Sequence, residues 1–130
     1  MTVMRPLVHP SIEDITVEGI LHALSDPVRA AIYAELAVSS GATCSNFLKI
    51  SDREIPKSTL SQHFRALREA GLIRSERHGV EMRNATRCEE INQRFPGLIL
   101  TIMQAHQIQA AERLQRTKRK RPAGKKAALE

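Results

Sequence analysis

The chain has 130 residues and a formal charge of +6 at pH 7, with hydrophobic residues at 42% and aromatic residues at 3%. That length suits one domain around one core rather than a multidomain enzyme. With no Trp and a single Tyr, the chain is poorly equipped to stack single-stranded nucleic acid on aromatic platforms.

No run approaches the roughly 18 consecutive apolar residues of a membrane span, and the N-terminus lacks the apolar segment of a signal peptide. A soluble, cytoplasmic protein with no membrane partner is expected. Two cysteines, Cys44 and Cys88, are too few for a disulfide framework, and neither belongs to a Cys-x-x-Cys pair.

In chain order, Val17, Ile20, Leu21 and Leu24 recur at spacings of three and four, which predicts a helix over 16–24. Ser25-Asp26-Pro27 then supplies a capping oxygen and a proline suited to the first helical position, so a second helix runs to Ser39-Ser40-Gly41. A short third helix is expected over 44–50. In the segment 57–70, Leu60, Phe64 and Leu67 form an apolar stripe. Its other face carries Lys57, Ser58, Thr59, Ser61, Gln62 and Arg65, a row of hydrogen-bond donors with no acid before Glu69. Gly71 suits the helix's C-terminal stop.

After Gly71 the period shortens, and His78-Gly79 separates two extended runs, which predicts a hairpin over about 72–86. Residues 88–95 read as helical, and a long helix follows Pro96-Gly97 to about Gln115. That last helix has too many apolar residues for one narrow stripe, so it is expected to pack on its own core and on a second chain.

The location of the charge sharpens this reading. Residues 116–130 hold seven basic side chains and one acid, which accounts for the whole excess, and within the neutral remainder residues 53–87 carry eight basic side chains against four acids. The organisation expected is an N-terminal extension (1–14), a folded domain (15–115) and a disordered basic tail (116–130). Such a tail suits either a solubilising extension or a non-specific DNA arm.

Two helices, the second polar outside, followed by a basic hairpin, form the arrangement of a winged helix-turn-helix. A helix fits the major groove, where Gln pairs with adenine and Arg with guanine, and a basic hairpin can follow the backbone or enter the minor groove. The fold expected is mainly α with a small β-hairpin wing, dimeric through its terminal helices.

The runs Ser25-Asp26-Pro27-Val28-Arg29 and Pro56-Lys57-Ser58-Thr59-Leu60-Ser61-Gln62-His63-Phe64-Arg65-Ala66-Leu67-Arg68-Glu69-Ala70-Gly71-Leu72-Ile73 resemble the ArsR-type (ArsR/SmtB) family of bacterial transcriptional regulators. The resemblance covers about residues 15–110. It implies a homodimer that binds a palindromic double-stranded DNA operator and acts as a repressor until an effector is sensed. By that resemblance Ser58, Thr59, Ser61, Gln62 and Arg65 read DNA, with Lys57 at the start of the same face, and Arg77, His78 and Arg83 lie in the wing. All four hairpin arginines, Arg74, Arg77, Arg83 and Arg87, are candidates for phosphate contact.

The family's metal-sensing pattern is incomplete here. Cys44 stands without the second thiolate of a Cys-x-Cys pair, and His106 has neither an acid two residues before it nor a later histidine. No metal or other cofactor is expected. Cys44 and Cys88 read as buried small hydrophobes; a redox role would need their Cα atoms within about 7 Å, in one chain or across a dimer. His63 reads as a packing residue bonded to backbone, and His106 as an interface or surface residue. No constellation for nucleophilic or acid-base chemistry is present, so an enzyme is not expected. The alternative is a protein-interaction module in which the winged helix is a scaffold and the C-terminal helix docks a partner.

Overall fold

The computed structural model describes residues 7, 9–38, 42–43, 49–50 and 53–120. Among the described residues a 3-10 turn, Ile12–Asp14, leads into five helices: α1 (Val17–Leu24), α2 (Pro27–Val38), α3 (Lys57–Glu69), α4 (Cys88–Arg94) and α5 (Leu98–Lys120). The described strands are β1 (Ala42–Thr43), β2 (Lys49–Ile50), β3 (Arg53–Glu54), β4 (Ile73–His78) and β5 (Glu81–Thr86). This is the expected mainly α chain with a hairpin directly after the helix that starts at Lys57.

Local chemistry sets the helix starts. Thr16 caps α1, its Oγ1 accepting from the Gly19 amide at 3.0 Å. Asp26 caps α2, with Oδ1 accepting from the amides of Val28 at 2.8 Å and Arg29 at 3.2 Å, and Pro27 occupies the first helical position.

The end of α3 is a Schellman motif. The Leu72 amide reaches back to the Leu67 carbonyl at 2.9 Å, the Gly71 amide reaches the Arg68 carbonyl at 3.0 Å, and Gly71 sits at φ 84°. A side chain on Gly71 would meet Ile15 at 2.5 Å, so the same glycine also admits the N-terminal segment against the helix end.

Leu60, Phe64 and Leu67 of α3 join Ile20 and Leu24 of α1, Ile32, Tyr33 and Leu36 of α2, and Ile91 of α4 in one core. Ile15, Leu72 and Ile73 close it at the base of the wing. From α5 only the first turns, with Leu98, Ile99, Ile102 and Met103, pack against this core. The His106 Nε2–H donates to the Leu24 carbonyl, and from Gln107 to Lys120 every residue of α5 is exposed. No helix among the described residues is long and apolar enough to cross a membrane.

Three differences from the sequence reading stand out. Lys49 and Ile50, expected at the end of a short helix, are extended and pair antiparallel with Glu54 and Arg53. The rest of that expected helix, residues 44–48, lies outside the described residues, Cys44 included.

The wing is part of a three-stranded sheet of order β1-β5-β4, because Ala42 and Thr43 pair with Asn84 and Arg83. Helix α5 continues past Gln115 through Arg116 to Lys120, so the first cations assigned to the tail are helical. Ala110, Ala111, Glu112, Leu114 and Gln115 are strong helix formers, and the cations at the C-terminal end suit the helix dipole. Residues 121–130 lie outside the described residues.

Candidate nucleic-acid interface

The polar face of α3 is outward. Leu60, Phe64 and Leu67 are buried, while Lys57, Ser58, Ser61, Gln62 and Arg65 are exposed and Thr59 is half-buried on the flank. Ser58, Ser61, Gln62 and Arg65 fall at i, i+3, i+4 and i+7, so they form one stripe on a single helix face. Arg65 pairs with Glu69 one turn on, at 3.4 Å, both side chains well exposed. That pair is weak enough to exchange for a phosphate or a base edge, since exposed i,i+4 pairs contribute only about 0.3–0.5 kcal/mol. Lys57 has no ion-pair partner among the described residues.

The Asp-Pro-x-Arg run has a structural role that supports this helix. Arg29 extends from α2, its Nε donating to His63 Nδ1 at 3.4 Å and its Nη1 to the Ala23 carbonyl at 3.3 Å. His63 is therefore half-buried as expected, but its partner is a side chain of α2 rather than backbone. Through it α2 holds the inner flank of α3 in register, leaving the stripe outside.

The wing divides the residues that sequence grouped together. Side chains alternate between faces along a strand, and Ser75 and Asn84 are opposed in register and buried. Arg77 and Met82, also opposed, continue that face toward the tip. Arg74, Glu76 and His78, with Ala85, Arg83 and Glu81 across from them, occupy the other. There acids answer the cations: Arg74 pairs with Glu90 at 3.2 Å, His78 with Glu76 at 3.3 Å, and Arg83 stands opposite Glu76. Arg77 alone of the three wing candidates shares the face that Ser75 turns toward α3. The turn itself is Gly79-Val80, one residue later than expected, with Gly79 at φ 65° supplying the left-handed conformation of a two-residue hairpin loop.

Arg87 corrects an expectation. It is buried, its Nε and Nη2 holding Glu90 at 2.9 and 2.7 Å and its Nη1 donating to the Pro10 carbonyl at 2.8 Å. These contacts lock the junction of β5 and α4 to the N-terminal segment, so Arg87 is not displayed to a ligand. The Arg87 hydrogen bond, then the charges of Arg87 and Arg74, hold the Glu90 carboxyl below its ordinary range.

Arg94 works alongside, donating to the carbonyls of Ile12 and Ile15. Residues 9–14, part of the stretch 1–14 expected as an extension, are thereby strapped onto the domain. Cys88 is exposed rather than buried, accepting from the Thr86 hydroxyl at 3.5 Å. No cluster of His, Cys, Asp or Glu suited to a metal occurs among the described residues.

Sequence reasoning missed Arg68, Ser75, Asn84 and His9. The signal was available in part, because a Ser and an Asn at inward-facing positions of a hairpin must find partners there.

Residues 24–76 match the family model of a helix-turn-helix domain. The chain is similar in structure to an ArsR-like transcriptional regulator from Rhodococcus sp. RHA1, with a TM-score of 0.50 at 22% sequence identity over 82% of this chain and 92% of that one. No curated protein matches it. The helix-turn-helix match over residues 24–76 and the shared architecture give the chain the winged helix-turn-helix fold.

Proposed function

We propose that the protein is a sequence-specific, double-stranded DNA-binding regulator, acting in the cytoplasm as a repressor, with α3 in the major groove and the wing on the backbone or minor groove. The observation that carries this reading is the outward stripe of Ser58, Ser61, Gln62 and Arg65 over a fully buried Leu60, Phe64 and Leu67. Gln62 and Arg65 have the donor geometry for base edges; Lys57, Ser58, Thr59 and Ser61 suit phosphate oxygens or base edges. In the wing Arg77 leads, and His78 and Arg83 contribute from the far face. The solved regulator of the same fold supports the regulatory reading.

The active form in this reading is a homodimer on a palindromic operator. Leu100, Ile108 and Leu114 of α5 and Leu21 of α1 are large apolar side chains left between about half and two thirds exposed. A helix end with all residues exposed from Gln107 onward is marginal by itself, and pairing with a second copy would bury it. Two copies would then present α3 to half-sites about one helical turn apart.

Selection of bound sites from random duplexes, with sedimentation of the free protein, tests both parts. Enrichment of a two-fold symmetric site by a dimer is expected. A monomer that enriches no duplex sequence would instead favour an interaction module whose C-terminal helix docks another protein.

A further inference from the structure

Ser75 is touched from three directions. It is 3% exposed, on β4 at the edge of the three-stranded sheet. Its Oγ donates to Asn84 Oδ1 at 2.6 Å across the hairpin, and Arg68 of α3 donates to the same Oγ from Nη1 at 3.3 Å. Its amide N–H, on the open side of the edge strand, donates to His9 Nε2 at 3.0 Å. Asn84 in turn is 1% exposed and donates from Nδ2 to the Met82 carbonyl at 3.3 Å, two residues nearer the wing tip. A hydrogen-bonded path thus runs from the N-terminal strap through the base of the wing to the C-terminal half of α3.

We infer that Ser75 is a positioning residue for DNA reading, holding α3, the wing and the N-terminal strap in one geometry, and that His9, the acceptor of its amide, makes that geometry sensitive to protons. The inference rests on the DNA-binding reading above. Its chemistry is that a histidine nitrogen accepts a hydrogen bond only while it carries no proton. Protonation at Nε2 turns acceptor into donor, leaves the Ser75 amide facing a like donor, and removes the bond that fastens the strap to the wing.

The surroundings oppose that proton. Arg74 from β4, Arg68 from α3 and Arg87 from the junction of β5 and α4 all face His9; Glu90 of α4 offsets Arg74 and Arg87 through its ion pairs. Burial first, then Arg74, Arg68 and Arg87, hold the imidazole below its ordinary value of 6.5, against a smaller opposite pull from backbone at Leu7. At neutral pH the bond from the Ser75 amide to His9 is made and acidification breaks it, while Arg87 and Arg94 still hold residues 10–15 of the strap.

The test compares wild type, His9→Gln and His9→Ala for binding to a duplex that the wild-type protein recovers from a random pool, at about pH 7.5 and about pH 5.5. Gln places an amide oxygen near the Nε2 position and does not titrate there, so it should bind like wild type at the higher pH. On acidification its advantage over wild type should grow about fivefold, at the low end of coupling between sites. His9→Ala should be about fivefold weaker than His9→Gln at both pH values, and weaker than wild type at the higher pH.

All other titratable side chains are common to the three proteins, so the ratio isolates His9. A Gln-to-wild-type ratio that does not change with pH, or an Ala variant that binds like wild type at about pH 7.5, overturns the inference. In parallel, the Ser75 amide resonance of the free protein should titrate together with the His9 ring, and an amide that does not follow the ring also overturns it. Loss of all duplex binding with that coupled titration intact would show that the DNA reading failed, and the positioning role with it.

Discussion

Ser75 and Asn84 face each other across the wing, both buried, joined by a hydroxyl-to-carbonyl hydrogen bond of 2.6 Å. Two polar side chains at inward positions of a hairpin are costly unless each is satisfied, and here each is. Arg68 of α3 donates to the same Ser75 hydroxyl, so the wing is attached to the domain by polar chemistry at its base as well as by Ile73 and Leu72 in the core.

Ser75→Ala removes the hydroxyl that donates to the buried Asn84 Oδ1 and accepts from the half-buried Arg68. A loss of about 1–3 kcal/mol in urea unfolding is expected, with the dependence on denaturant unchanged. A variant as stable as wild type would mean that the pair contributes nothing net.

Gly71→Ala tests the junction where α3 ends. Alanine there must take a positive φ and place its Cβ 2.5 Å from Ile15. Left-handed strain and local overpacking together should cost about 2–4 kcal/mol, measured by thermal or denaturant unfolding. Gly79→Ala shares the positive φ but meets nothing within 4 Å, so it should cost only the strain, about 1–2 kcal/mol.

Stability should fall in two steps on acidification. The His9 imidazole is held below its ordinary 6.5 in the fold, so between those two values the unfolded chain binds the extra proton. Stability there rises with pH, and is lost as pH drops below 6.5 until the folded value is passed. Glu90, held below its ordinary 4.5 chiefly by Arg87, contributes stability that is present above 4.5 and lost as pH falls through its folded value. His9→Gln should erase the upper step and Glu90→Gln the lower one in unfolding followed against pH. Persistence of either step in its own variant would reassign it.

The division of the wing into two faces gives a prediction about charge. Arg77→Ala should reduce the slope of log affinity against log salt by about one phosphate's worth, and Arg83→Ala, opposite Glu76, by clearly less. Equal reductions would mean that both faces meet the duplex alike.

Much of this was legible in the residues alone. The 3.6-residue stripe of Leu60, Phe64 and Leu67 set the orientation of α3, and Asp26-Pro27 and Gly71 marked a helix start and a helix stop by capping chemistry that is local. What escaped was long-range. Arg87 and Arg77 are the same residue type, two strands' lengths apart in one hairpin region, and nothing nearby in sequence says that one is buried on the Pro10 carbonyl. Likewise His9 meets Ser75, and Arg29 meets His63, only because the fold brings distant segments together. Lys49 and Ile50 misled because a short apolar run of that kind is compatible with helix and strand alike.

The central claim is that the outward side of α3 reads DNA. The direct measurement is affinity for the selected duplex, against an unrelated duplex, for wild type, Gln62→Ala and Arg65→Ala, each checked for unchanged unfolding. The account predicts that each variant keeps its stability and loses about 1–3 kcal/mol of discrimination, roughly 5-fold to 150-fold, between the two duplexes. Full discrimination in both variants would contradict it.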